Sequence, residues 1–161
     1  YGAEYVNADV EVSFKYVGDW ADPAKGKELA LAQFDAGADV VYAAAGRSGL
    51  GAIQAANEQS RLVIGVDADQ CETIEGVPVS TFLASMLKRV DVAVYDTIKS
   101  VVNGTFTGGI KVFGAAQNGV GVCKHIPSDI KGQIDDLMAK VASGEIKVPI
   151  DIDENGEYVW G

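Results

Sequence analysis

Apolar residues occur at two different spacings in the first part of the chain, and each spacing predicts a strand. In residues 9–18, apolar side chains occupy every second position from Val10 to Tyr16, which is the period of a strand. In residues 38–45 and 61–67 the apolar positions are consecutive, as in strands that a parallel sheet buries on both faces. Right-handed connections between such strands predict a parallel sheet covered by helices.

The two segments between these strands carry the signals of helix ends. Asp22 can cap a helix, Pro23 suits its first position, and Gly37 suits the turn that closes it. Residues 48–59 predict a second helix before the third strand. The order is therefore strand, helix, strand, helix, strand, which is typical of the α/β class.

The apolar pattern changes after residue 79. Residues 80–104 predict one long helix that ends at Gly104. Lys88 and Arg89 lie off its apolar side, where a basic pair is commonly solvated. The apolar residues recur at helical spacing and form one stripe, made of Leu83, Leu87, Val90, Val94, Ile98 and Val101.

The last third of the chain predicts shorter elements. Residues 109–115 and 119–125 predict two short strands, which the turn-forming sequence Gln117-Asn118-Gly119 joins. Residues 128–143 predict an amphipathic helix. The tail, residues 147–161, mixes polar and apolar positions and leaves room for one more strand.

Composition and charge limit the kinds of ligand that the protein can bind. The 161 residues suffice for one domain with a sizeable core, and 48% hydrophobic with 22% charged residues is ordinary for a globular protein. A net charge of -10 argues against nucleic acid and anionic membrane surfaces as partners. The ligand is therefore neutral or weakly charged, or the acidity only keeps the protein soluble.

Two cysteines leave two possibilities open. Cys71 and Cys123 form no CxxC motif, and His125 is the single histidine, so the ligand set argues against a zinc site. An even number of cysteines permits one disulfide in an oxidising compartment. Two buried thiols are the alternative.

Candidate ligand-binding groups follow the predicted strands. Ligands of open parallel sheets bind in the loops beyond the carboxyl ends of the strands. Trp20 lies in the loop after the first strand, and Gly46 and Gly49 lie in the loop after the second. Asp67 and Asp69 follow the third strand. An aromatic face, backbone amides and a carboxylate should therefore meet at one edge of the sheet.

Each of these groups also has a purely structural interpretation. Trp20 can cover a helix end instead of stacking on a ligand. The glycine loop fits neither phosphate-binding motif, so it offers only backbone amides to a ligand. Asp67 can cap a helix or form a salt bridge at a hinge. The sequence contains no clear nucleophile with a base, and we therefore expect a binding protein and not an enzyme.

Four segments together resemble the carboxyl half of the basic membrane protein family: DPAKGKELALAQ, GADVVYAAAG, GVDADQ and SMLKRVDVAVYD. Members are purine-nucleoside-binding lipoproteins, the substrate-binding components of ABC importers. The resemblance spans about residues 1–122. It implies the fold of type I periplasmic binding proteins, in which two α/β lobes joined by crossing strands close on a ligand.

The resemblance also implies how the chain is divided. Residues 1–70 would be the β-α-β-α-β segment of the second lobe. Residues 71–109 would form a linker and the long helix, which packs on an absent first lobe. Residues 110–161 would supply the crossing strands, the C-terminal helix and the tail. Without the first lobe, we expect the chain to expose the stripe of the long helix and to self-associate or to pair with the missing half.

The family pattern assigns a role to four residues. Trp20 would stack on the purine, at a position where members often have Phe, and Gly46 would bring backbone close to the base or ribose. Asp67 would accept hydrogen bonds from the ribose hydroxyls. Lys88, on the long helix, would reach the ligand beside Asp67.

These roles imply capture of inosine, guanosine or adenosine for an ABC permease, outside the cytoplasm, by a protein anchored through an N-terminal lipid cysteine that this chain lacks. The resemblance implies no cofactor and no metal. Cys71, Cys123 and Arg47 depart from the family pattern, and Arg47 leaves the preferred nucleoside open. The alternatives are a sugar-binding or autoinducer-binding protein of the same fold, a ligand-sensing regulatory domain, and a doubly wound enzyme.

Overall fold

The computed structural model describes residues 1–152 and 158–159. The helices are α1 (Gly2–Val6), α2 (Pro23–Asp35), α3 (Gly49–Glu58), α4 (Gln70–Thr73), α5 (Val90–Val102) and α6 (Ser128–Ser143). The strands are β1 (Val40–Tyr42), β2 (Leu62–Asp67), β3 (Phe82–Lys88), β4 (Val120–Val122), β5 (Asp151–Ile152) and β6 (Tyr158–Val159). Short turns of 3-10 helix lie at Gly46–Ser48, Val79–Thr81 and Ala115–Gln117.

One open, mostly parallel sheet organises the fold. Its strand order is β1-β2-β3-β4, in which β1, β2 and β3 run parallel and β4 is antiparallel to β3. Tyr42 pairs with Ile64, and Asp67 pairs with Leu87, so the carboxyl ends of the parallel strands lie along one edge. Helices flank this sheet, and the predicted α/β class is therefore confirmed.

The core lies between the sheet and the pair of helices α2 and α3. Phe34 of α2, Ile53 of α3 and Val63 of β2 are buried within one hydrophobic cluster, and Ile53 and Val63 are completely inaccessible to solvent. Small residues fill much of the remaining interface between the two helices, including Ala30 and Ala56. Small side chains bring the backbones of α2 and α3 close together, and this fixes the loops that precede both helices.

The helix ends that the sequence predicts are confirmed for α2 and α6. The Asp22 carboxylate accepts a hydrogen bond from the Lys25 backbone N–H at 2.9 Å, Pro23 is the first helical residue, and Gly37 has a φ of +104°. Gly144 follows α6 in the left-handed region, with a φ of +79°. These interactions involve neighbours in sequence, which explains why the sequence alone predicts them.

Residues 80–104 do not form the single long helix that their apolar spacing predicts. Phe82–Lys88 is the strand β3, paired with β2, and the helix begins only at Val90. Leu, Ala, Met and Lys are good helix formers, so local propensity favours a helix here. The open edge of β2 needs hydrogen-bond partners, and this tertiary requirement overrides the propensity. Lys88 consequently ends a strand and does not lie on a helix.

Two further predicted strands are wrong. Residues 9–18 pair with no strand among the described residues, and Phe14 and Tyr16 stay largely exposed. Residues 109–115 likewise form no strand, and Ile110 is almost fully exposed. Alternating apolar residues form a stable strand only where a neighbouring strand accepts their hydrogen bonds and a core covers one face.

The remaining predictions for the last third of the chain agree better with the structure. The predicted strand at 119–125 is confirmed in part as β4, and Asn118 forms the turn before it in the left-handed conformation, with a φ of +53°. The tail supplies β5 and β6, which pair antiparallel. Residues 153–157 and 160–161 of the predicted tail strand lie outside the described residues.

The helix α5 leaves its apolar stripe uncovered. It contains no buried residue, and Val94, Ile98 and Val101 are each more than half exposed. The predicted exposure is therefore observed for the part of the stripe on α5, whereas Leu83 and Leu87 lie on β3 and are partly buried. Among the described residues, no helix combines the length and the apolar character that crossing a bilayer requires.

Replacing Gly51 with alanine tests the close approach of α2 and α3. A Cβ at Gly51 would overlap the carbonyl oxygen of Pro23 and lie 2.6 Å from the backbone nitrogen of Lys27. We expect Gly51→Ala to lower the free energy of unfolding by about 1–3 kcal/mol or more, because the helices must separate. Urea unfolding measures this change.

Gly132→Ala is the matched control. Gly132 lies within α6 and a Cβ there meets nothing within 4 Å, so alanine should leave stability unchanged or raise it by about 1 kcal/mol. Equal stabilities for the two variants would contradict the packing described for α2 and α3.

Candidate ligand-binding site

The candidate site lies at the carboxyl edge of the parallel strands. The turn at Gly46–Ser48 follows β1, Asp67 ends β2, and Lys88 ends β3. Trp20 precedes α2 and joins this edge through contacts with the Gly46–Ser48 turn. The fold therefore brings all four predicted residues to the same edge of the sheet.

Ser48 connects the loop of Trp20 to the turn after β1. Its buried hydroxyl donates a hydrogen bond to the Asp19 carbonyl at 2.6 Å and accepts one from the Asp22 backbone N–H at 2.9 Å. The Ser48 backbone N–H donates to the Trp20 carbonyl at 3.2 Å. Three hydrogen bonds thus hold the backbone of the loop that carries the indole.

The indole of Trp20 lies against Gly46. A Cβ at Gly46 would lie 3.2 Å from the ring carbon Cε3 and 3.1 Å from the Trp20 carbonyl oxygen. Gly46 also has a φ of +57°, a conformation that favours glycine. Trp20 is nevertheless 75% exposed, so the indole covers little of the protein and most of its surface faces solvent. Arg47, the next residue along the chain from Gly46, is also exposed.

Asp67 and Lys88 form an ion pair at the ends of neighbouring strands. Lys88 Nζ lies 3.0 Å from Asp67 Oδ1, and both side chains are more than half exposed. An ion pair in solvent stabilises a fold only slightly, so these charges are available to a ligand. The association of Lys88 with Asp67 is as expected, although Lys88 reaches it from a strand.

The backbone of Asp67 is unusual. Its φ of +68° places a residue with a side chain in the left-handed region, where only Asn, Asp and Gly occur with any frequency. The strained conformation turns the chain sharply away from the sheet at the end of β2. Such outliers persist only where the surrounding structure stabilises them, and they are common at ligand-binding sites.

Ser85 and Gln70 stabilise the turn that follows Asp67. The buried Ser85 hydroxyl donates to the Ala68 carbonyl at 2.7 Å and accepts from the Gln70 backbone N–H at 3.3 Å. Gln70 Oε1 accepts a hydrogen bond from the Val66 N–H at 2.9 Å. The two contacts of Ser85 cross from β3 to the loop after β2, and no local sequence signal predicts them.

Tyr42 is a further aromatic residue at this edge that the sequence analysis did not single out. It ends β1 and is half exposed. Burial of the ring raises the pKa of the Tyr42 hydroxyl, and the negative charge of Asp67 raises it further. Tyr42 therefore shares the electrostatic environment of Asp67. An aromatic residue that ends a buried strand is the signal that could have revealed it.

A different group of side chains offers the donor atoms that a metal ion would need. Asp69, Cys71 and Cys123 place one oxygen and two sulfur atoms within 4.8 Å of one another, and no other such group of three occurs in the described part of the chain. Burial raises the pKa of the Cys71 thiol, and the neighbouring Cys123 and Asp69 raise it further, so the thiol form is favoured.

Comparison with known proteins gives a consistent result. The family model described as ABC transporter substrate-binding protein PnrA-like matches residues 1–151. The CD4+ T-cell-stimulating antigen of Listeria monocytogenes is 33% identical over 92% of this chain and 46% of its own length. The ABC transporter nucleoside-binding protein BmpA of Lactococcus lactis is also 33% identical, with the same shares of both chains.

A solved structure supports the same fold. The solute-binding protein of an ABC transporter system from Aeropyrum pernix K1 is similar with a TM-score of 0.76 and 30% sequence identity, over 96% of this chain and 53% of that one. The chain therefore spans about half the length of the relatives that it matches.

Replacing Ser48 with alanine tests whether its hydroxyl positions Trp20. The substitution leaves the Asp19 carbonyl and the Asp22 N–H without their buried partner, and we expect the free energy of unfolding to fall by about 1–3 kcal/mol. In a Trp160→Phe background, Trp20 is the only indole, and its fluorescence anisotropy should fall because the loop becomes mobile.

Ser80→Ala removes an exposed hydroxyl and serves as the control. It should change neither the stability nor the anisotropy. If Ser48→Ala also leaves the anisotropy unchanged, the loop is held by other contacts and the role given to Ser48 is wrong.

Proposed function

This chain belongs to the family of PnrA-like ABC transporter substrate-binding proteins, and on that premise we propose that it captures purine nucleosides for an ABC importer. Inosine, guanosine and adenosine are the proposed ligands. The observation that carries the proposal is the common edge that holds the indole of Trp20 and the carboxylate of Asp67. A nucleoside requires both an apolar flat surface for its base and a hydrogen-bond acceptor for its ribose.

Trp20 is the proposed stacking surface for the base. The indole is exposed on a loop whose backbone is hydrogen-bonded to the buried Ser48, so the loop is in place before the ligand arrives. Preorganisation of this kind lowers the entropy that binding costs. A stacked base contributes about 1–3 kcal/mol to binding. Gly46 would bring its backbone close to the same ligand, because no side chain stands between it and the indole.

Asp67 is the proposed acceptor for the ribose hydroxyls. An ionised carboxylate forms stronger hydrogen bonds with hydroxyl groups than a neutral acceptor does. Lys88 stands 3.0 Å from it and would balance its charge when the ligand displaces water. The ligand carries no charge that would be repelled by an acidic protein, which fits the net charge of -10.

The protein would act by binding and release, outside the cytoplasm. The proposed partners are an ABC permease and a first lobe, which would close over the nucleoside from the other side of the cleft. Lipid anchoring of the whole protein through that lobe is part of the same proposal. Similarity to a protein named as nucleoside-binding supports the ligand class.

Ligand selectivity tests the proposed function, in a protein that joins this chain to the proposed first lobe. We expect inosine, guanosine and adenosine to raise the midpoint of thermal unfolding, and free ribose or a free base to raise it much less, because each engages only half of the contacts. Calorimetry should show that Asp67→Asn weakens binding about 10-fold or more, since the charge-assisted hydrogen bonds are lost.

Two control variants, Trp20→Phe and Asp135→Asn, show whether the loss of binding is specific to the proposed contacts. Trp20→Ala should weaken binding roughly 5- to 150-fold, whereas Trp20→Phe keeps an aromatic surface and should bind nearly as well. Asp135→Asn removes an exposed carboxylate from α6 and should bind like the parent protein. Tight binding of ribose alone would favour a sugar-binding protein, and turnover of a nucleoside would favour an enzyme; either result contradicts the proposal.

The uncovered stripe of α5 tests the proposed partnership with a first lobe. We expect the isolated chain to self-associate at high concentration in sedimentation experiments, because exposed Val94 and Ile98 bury apolar area on contact. The double variant Val94→Ser/Ile98→Ser should shift the chain towards monomer. Val148→Ser/Ile150→Ser removes the same two side-chain types from an exposed part of the tail and should not. A monomeric parent chain at all concentrations would contradict this expectation.

A further inference from the structure

The two cysteines of the chain meet in the folded protein. Cys71 lies in α4 and Cys123 directly follows β4, 52 positions later. Their sulfur atoms are 3.2 Å apart, and the residues are only 3% and 1% exposed. Two thiols from distant parts of the sequence thus form one buried pair.

Contacts on both sides hold the two sulfur atoms together. The Ser85 N–H donates a hydrogen bond to Cys123 Sγ at 3.0 Å, and the Cys123 N–H donates to the Ser85 carbonyl at 2.9 Å. Cys123 is therefore fixed to β3. Glu72, next to Cys71, binds Lys124 at 2.6 Å and His125 at 3.1 Å. This second connection joins α4 to the residues that follow Cys123 through exposed ion pairs, which are weaker than the buried contacts of Ser85.

The two thiols differ in how a reagent can reach them. Cys123 lines an open surface cavity, together with Lys124 and Val122, whereas Cys71 does not line it. Burial raises the pKa of the Cys71 thiol, and its two neighbours Cys123 and Asp69 raise it further. A reagent that enters this cavity would therefore meet the sulfur of Cys123 before that of Cys71.

We infer that Cys71 and Cys123 are a dithiol that forms an intramolecular disulfide by exchange with an external disulfide, either of a small thiol or of a dithiol oxidoreductase. The thiolate of Cys123 attacks one external sulfur, forms a mixed disulfide and releases one thiol. The thiolate of Cys71 then attacks the Cys123 sulfur and releases the second thiol. The external disulfide gains two electrons, and the two protons of the cysteines end on its thiols.

The bond would stabilise the loop that carries Asp67. It joins α4, which begins three residues after Asp67, to the paired strands β3 and β4. Ser85 already anchors this loop by its hydroxyl, and the disulfide would add a covalent link at the other end of the same segment. Disulfide formation depends on the two sulfur atoms alone, so a test of it is independent of the test of nucleoside binding.

Equilibration with mixtures of oxidised and reduced glutathione tests the inference on the 161-residue chain. Alkylation followed by peptide mapping should show that both thiols disappear together and that the peptides of Cys71 and Cys123 become linked. The oxidised chain should unfold at a midpoint about 5–15 °C above that of the reduced chain, since the bond closes a long loop.

Variants separate the linked pair from other outcomes. In Cys71→Ser the reaction should stop at a glutathione adduct on Cys123, and the double variant Cys71→Ser/Cys123→Ser should unfold at the same midpoint under oxidising and reducing conditions. The inference is overturned if the parent chain keeps two free thiols after refolding with oxidised glutathione, or if the linked chain is no more stable than the reduced one. It is also overturned if one Zn²⁺ stays bound through dialysis and protects both thiols, because Asp69, Cys71 and Cys123 would then be metal ligands.

Discussion

The hydrogen bonds between β2 and β3 determine where the two charged residues of the candidate site lie. Their parallel register sets Asp67 opposite Leu87, so the next residue, Lys88, comes within 3.0 Å of the carboxylate. Asp67 is the last residue of β2 and Lys88 is the last residue of β3, so the pairing of these strands brings both charged groups to the same edge of the sheet. The ion pair therefore depends on the register of two strands that are distant in sequence.

Two buried hydroxyl groups hold the loops on which the other groups of the candidate site stand. Ser48 holds the loop of Trp20, and Ser85 holds the turn after Asp67; both side chains are fully buried and hydrogen-bonded. The groups that these loops present are exposed, and an exposed ion pair stabilises the fold little. The hydrogen bonds that hold the loops are therefore buried, whereas the indole and the two charged groups are exposed to solvent. Preorganised binding requires this arrangement.

The same arrangement explains how much of the site could be predicted. Gly46 follows β1, Asp67 ends β2, and Trp20 lies just before the Asp22 cap of α2, so each stands beside a local signal in the sequence. Ser48 and Ser85 were missed because a serine carries no pattern of its own, and its importance comes from the carbonyl and N–H groups that packing brings to it. The family resemblance implied that Lys88 lies beside Asp67. It placed Lys88 on a helix, however, whereas Lys88 ends the strand β3.

By itself, the sequence determined the elements whose signals are local: α2 with its Asp22 cap, α6 with the glycine after it, and the consecutive apolar residues of β1 and β2. Only the tertiary structure decided the rest. The segment 82–88 has helix-forming residues but becomes a strand, because β2 presents an unpaired edge; residues 9–18 alternate but form no strand, because no neighbouring strand pairs with them. A strand requires a partner, and the partner is never encoded within the segment itself.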